Sequence, residues 1–228
     1  MRADRWTAPY RLVVFALAAT SIAALLSEFY HVWGMRSFTF FVFAPAVLVL
    51  IALAVWDRAS DGGALWRAVM IGLTSGFVAA IAYDIFRLPF VYARQLGIES
   101  WLPRLPLFKV FPQFGALILG QATGQNDYSA AAHILGWLYH FSNGAMFGVM
   151  YVGMIGEAER RCWGWAVLMA AGLEAGMLFT PYPGAFGIKV TPYFVTVTLA
   201  AHIIFGVALG LASRWMARRW NRVVVANG

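Results

Sequence analysis

From Phe38 to Trp56 the chain runs nineteen residues without one charged side chain. At a rise of 1.5 Å per residue, such a run makes a helix about 28 Å long, close to the ~30 Å hydrocarbon thickness of a bilayer. Five further apolar stretches follow the same pattern, at 12–27, 65–88, 130–155, 163–180 and 193–215. Inside lipid every backbone N–H and C=O must find a partner within the protein, which leaves helices or a closed barrel. Long, continuous apolar runs, not alternating ones, choose the helix. The sequence therefore predicts an all-α integral membrane bundle of six transmembrane helices, one domain over residues 1–228. Composition enters only as a check. Charged residues make up 12% of the chain, against about 25% in soluble domains, too few to coat a water-soluble globule. The first span is read as a transmembrane helix and not as a cleaved signal, because no small-residue cleavage site precedes the second.

The charges sit between the spans and orient them. With the N-terminus inside, the inner segments hold eleven Lys and Arg and the outer segments six. The excess places both termini in the cytoplasm of a bacterial inner membrane. Trp56, Trp66, Trp163, Trp165, Trp215 and Trp220 then form an inner interfacial belt. This explains the net charge of +7. A nucleic-acid partner is not expected, since no basic stripe with interleaved aromatics is present. The single cysteine, Cys162, excludes a disulfide framework and reads as a small packing residue. Residues 93–129 form a long outer loop. It is broken by Pro103, Pro106 and Pro112, with an apolar piece from Phe114 to Leu119 too short to span. That piece reads as re-entrant or interfacial, capping one side of the bundle.

Within this apolar frame a few polar residues recur in pattern. His140, Gly144 and Gly148 in the fourth span repeat as His202, Gly206 and Gly210 in the sixth. Spacing i, i+4, i+8 puts each set on one helix face. Gly72 and Gly76 in the third span, and Gly172 and Gly176 in the fifth, are also four apart. All eight glycines are expected to pack helices closely. Spans three and four, and spans five and six, thus read as two copies of one hairpin related by a pseudo-twofold axis along the membrane normal.

An ionisable group within a membrane span costs a few kcal/mol and generally has a partner or a task. Here those groups fall in the outer half. His140, His202, Glu174 and Asp84 are the candidate ligand or metal residues, with Arg87, Asn143, Tyr139 and His31 supporting them. Asp84 and Arg87 are three apart and can pair on one face. Glu174 has no Lys or Arg near it in its span, so it must be protonated, paired with a histidine, or ligating. His140 and His202 are open to three roles: hydrogen bonding between helices, ligation of a metal ion or haem, and proton transfer. His133 lies seven residues from His140, about 10 Å along the axis, so the two cannot share one ion. Imidazoles with carboxylates would suit zinc, iron or manganese.

The order of these motifs from Tyr83 to about Trp215 resembles the small YagU-like inner-membrane proteins, a family without an assigned activity. The resembling pieces are Asp84 to Pro89, His140 with Gly144, Gly148 and Tyr151, Pro181 with Gly184, and Ala201-His202 with Gly206 and Gly210. The resemblance implies a helical inner-membrane fold in which the same acid and histidine positions matter. The leading expectation is a periplasm-facing intramembrane site binding a metal, haem or small polar ligand. Two others stand beside it: a non-catalytic subunit or assembly factor of a larger membrane complex or homo-oligomer, and a proton-coupled carrier.

Overall fold

The computed structural model describes residues 6–60 and 63–226, the side chains of 221–226 excepted. Arg2, Arg5 and the side chain of Arg222, counted above for orientation, lie outside the described residues. The chain is helical, with no strand among the described residues. Helix α1 covers Ala8–Phe29. The short α2 (Met35–Phe38), a π-turn (Thr39–Phe43) and α3 (Ala44–Ser60) follow as one continuous rod. Next come α4 (Ala64–Val91), α5 (Val110–Leu119), α6 (Ala130–Ile155), α7 (Gly164–Leu178), α8 (Tyr182–Ala185) and α9 (Pro192–Ala226).

Four helices are long and apolar enough to cross a membrane: Ala8–Phe29, Met35–Ser60, Ala64–Val91 and Pro192–Trp220. α6 has the length but carries His133, Tyr139, His140, Ser142 and Asn143. α7 has 15 residues. α6 is the central helix, packed against α1, α4 and α5. Half of its 26 residues are buried, so protein and not lipid surrounds much of it, and it can afford polar groups.

The π-turn has a local cause. Pro45 lacks an N–H, and its ring collides with the carbonyl four residues back, so the helix widens just before it. The next turn is held by Asp57. Its Oδ2 accepts from the backbone N–H groups of Leu65 (2.8 Å) and Trp66 (3.0 Å), capping α4 from the end of α3. Asp57 is itself a buried residue of α3.

α4 and α6 run antiparallel through reciprocal glycines. A Cβ on Gly76 would sit 2.2 Å from the Gly144 carbonyl oxygen, and one on Gly148 2.0 Å from that of Gly72. On α9, Gly206 and Gly210 lie against the backbone of α7 at Val167 and Trp163. Gly172 and Gly176 do not share this role. No described atom lies within 4 Å of where their Cβ would be. They face outward, because α7 turns its Ala166, Ala170 and Glu174 side inward. Cys162 also departs from expectation: it is exposed in the turn before α7.

α5 does not cap the bundle. It lies inside it, antiparallel to the first half of α6, with eight of its ten residues buried. Gly115 and Gly136 allow this. Their Cβ atoms would fall 1.9 Å from the Ala132 carbonyl oxygen and 1.8 Å from that of Phe111. Phe111 thus sits level with Gly136 and His140, about 9–15 Å along α6 from Ala130. The segment before α5 descends to that level and the helix climbs back.

Candidate functional site

Three helices meet where α4 lies between α6 and α9. Tyr83 on α4 stands at the junction. Its ring centre is 6.0 Å from that of His140 on α6 and 4.9 Å from that of His202 on α9. Each histidine has its own carboxylate. His140 Nε2 is 2.8 Å from Asp84 Oδ2, and His202 Nδ1 is 3.4 Å from Glu174 Oε2.

The partners settle which ring nitrogen carries the proton. His202 Nδ1 also lies 2.9 Å from the Thr198 carbonyl oxygen. A carbonyl can only accept, so Nδ1–H donates and a neutral ring keeps its lone pair on Nε2. His140 is the reverse. The Asp84 carboxylate accepts from Nε2–H, leaving the lone pair on Nδ1. The two imidazoles are therefore fixed in opposite tautomers.

Asp84 serves two neighbours. Its other oxygen pairs with Arg87 Nη1 at 3.4 Å. Arg87 is buried, and its Nη2 donates to the Leu107 carbonyl in the segment that leads down to α5. Backbone outside a helix at this depth needs a partner, and the guanidinium supplies one. The Arg87 head packs over Tyr83 (4.6 Å), Phe108 (5.0 Å) and Phe111 (5.3 Å), favourable faces for a cation. Arg87 Nε and Asn143 Oδ1 are buried with no hydrogen-bond partner among the described residues.

These groups line one cavity of about 490 Å³. His140, His202, Glu174, Tyr83, Arg87 and Asn143 are all on its wall, and Asp84 stands behind His140. Leu25, Ala80, Phe147, Ala170 and Phe205 make an apolar floor. Comparison with known proteins returns no matching family model, no matching curated protein and no matching solved structure.

The four sequence candidates thus gather along one cavity, but as two separate pairs and not as a single ligand set. Among the described residues no group of three or more His, Cys, Asp or Glu is placed to hold a metal ion. Two expected supporters lie elsewhere. His31 is exposed at the end of α1, with a φ of 54°. Tyr139 turns away from the cavity and donates to the Ser21 carbonyl at 2.6 Å, tying α6 to α1. His133 is exposed. Sequence reasoning missed Tyr83, Thr198, Tyr182, Lys109 and Lys189, all on the wall. Tyr83 carried one signal, its place beside Asp84. The lysines carried none, because residues 80 apart meet only through the fold. Tyr182 opens α8, just after α7, and burial pushes its phenol well above the ordinary value, so it stays an O–H donor.

Proposed function

We propose that this chain is a bacterial inner-membrane protein with six transmembrane helices and both termini in the cytoplasm, and that its periplasm-facing cavity binds a small organic ligand. On this reading α6 and α7 complete the six spans, with α6 shielded from lipid by its neighbours. The observation that carries the proposal is the shared wall: two His–carboxylate pairs and Tyr83 on one cavity of about 490 Å³. A concave, mainly apolar pocket of this size with a few convergent polar groups is the usual form of a small-molecule site. With each N–H already donated within the protein, each ring keeps one free lone pair, on Nδ1 of His140 and Nε2 of His202, to accept a hydrogen bond or a proton from a ligand.

An organic ligand fits better than an ion, since among the described residues no group of three or more His, Cys, Asp or Glu is placed to hold one. The test is purification in mild detergent, followed by mass spectrometry of the organic extract, metal analysis and an absorption spectrum. About one organic molecule per chain is expected. Stoichiometric metal or a Soret band, with no organic molecule, would sink the proposal. Kinship of residues 83–215 with YagU-like proteins belongs to the same reading and rests on motif order alone.

One observation favours a second reading, a subunit of a larger membrane assembly. The outward face of α7 carries Gly172 and Gly176 between exposed Leu168 and Phe179, the latter 90% exposed. Small residues flanked by large ones suit close helix packing in lipid. Crosslinking from a cysteine at Leu168 in native membranes would capture a protein neighbour on this reading, and lipid alone otherwise.

A further inference from the structure

Resting on the ligand-binding reading above, we infer that the occupant of the cavity is a single-chain amphiphile with an anionic head, seated head outward between Lys109 and Lys189. The wall residues that are exposed mark the mouth. They are Pro106, Lys109, Gly187, Lys189 and Thr191, confined to the segment before α5 and the segment before α9. Among the described residues the mouth therefore carries two cations and no carboxylate. Beneath it stands Arg87, whose Nε–H has no partner among the described residues. Glu174, the only carboxylate of the described wall, is engaged by His202.

The other end is hydrocarbon. Ala80 lies eleven residues from the end of α4, and Phe205 thirteen residues from the start of α9. Those offsets put the floor about 16–20 Å from the helix ends. That is close to the ~15 Å depth of one leaflet. A lipid in the outer leaflet has the same polarity axis, with its charge at the interface and its chain toward the midplane. The volume suits one chain: about 490 Å³ is roughly three times the ~150 Å³ apolar cavity that takes one benzene, room for about twenty carbon atoms. A small polar solute would leave Leu25, Phe147 and Phe205 facing empty space or water. A cationic head would meet Lys109 and Lys189.

The test uses the full chain in detergent and two tail-labelled probes with the same acyl chain, lysophosphatidylglycerol and lysophosphatidylcholine. The anionic probe is expected to bind roughly tenfold tighter. Replacing both mouth lysines (K109Q with K189Q) should bring the two probes to within about threefold of each other. Both lysines are exposed, so the fold is not at stake. Inorganic phosphate at millimolar concentration should not displace the probe; displacement would mean that the head alone is recognised and would overturn the single-chain assignment. Equal binding of the two probes by the wild type, or a preference that survives the lysine changes, would overturn the anionic head. Failure of the underlying reading looks different. If Ala170→Leu and Phe205→Trp, which fill the floor, both leave the binding of both probes unchanged, then the probes coat the outer surface and the cavity holds nothing.

Discussion

Gly76 and Gly172 are the same residue type in the same kind of motif, and the structure gives them opposite meanings. A methyl group at Gly76 would meet the Gly144 carbonyl oxygen at 2.2 Å and the Gly148 nitrogen at 2.9 Å, both backbone atoms that cannot rotate away. Gly76→Ala should therefore destabilise by about 1–3 kcal/mol, the usual range for overpacking. Gly172→Ala meets nothing within 4 Å and should be neutral or stabilise slightly, by up to ~1 kcal/mol, from helix propensity. Thermal unfolding in one detergent checks both, and equal behaviour of the two would refute the assigned packing. The two carboxylates make a similar contrast. Asp84→Asn strips Arg87 of its counter-ion while leaving it buried, and an uncompensated buried charge costs about 3–5 kcal/mol. Glu174→Gln leaves His202 Nδ1–H still bonded to the Thr198 carbonyl and should cost less than about 1.5 kcal/mol. Denaturant titration orders the two variants.

At the scale of elements, α5 is the part whose place is most sharply defined by few contacts. Gly136 admits it to α6, and Arg87 holds the strand of chain that leads to it. Gly136→Leu should expel α5 without unfolding α4 or α6. The measurement is maleimide labelling of Gln113→Cys in a Cys162→Ser background. Gln113 is 3% exposed and should label slowly in the parent. In the Gly136→Leu variant labelling should accelerate at least tenfold, because local opening then costs little. Much of the frame around α5 was legible beforehand. Charge-free length marks α1, α3 and α9, whatever they pack against. The glycines of α4 and α6 were legible because each faces the other's stripe at matching spacing. α5 was not. An apolar decapeptide reads the same whether it lies on a membrane surface or inside a bundle, and the glycines that decide the matter are 21 residues apart and pair only in the fold. The role of Asp57 was hidden for a related reason: as a cap it depends on where the next helix begins. Gly172 and Gly176 show the converse limit, since spacing names a face of α7 but not what that face meets.

The whole molecule has two unlike ends, and that asymmetry can be tested with a residue the chain already has. One end carries the cavity mouth, the buried charges near it, and exposed Trp101 and Leu96. The other carries the turn at Glu157–Arg161 and the extension of α9, which runs 35 residues. At 1.5 Å per residue that is about 52 Å, well beyond a ~30 Å hydrocarbon core. Its last third, with Arg214, Arg218 and Arg219, must stand clear of the core on one side. The orientation proposed above, from the excess of Lys and Arg, puts this end in the cytoplasm. Cys162 lies in the turn at the same end and is exposed. A membrane-impermeant maleimide should therefore leave the native protein unlabelled in spheroplasts and label it once the membrane is opened. Trp101→Cys, in a Cys162→Ser background, should label in both conditions. If Cys162 reacts in sealed spheroplasts the bundle is inverted, and the cavity opens to the cytoplasm. Lipid of the periplasmic leaflet could then no longer reach its mouth, although the contacts of α4, α6 and α9 would stand unchanged. The orientation of the protein thus bears on what can enter the cavity, while its internal packing does not depend on it.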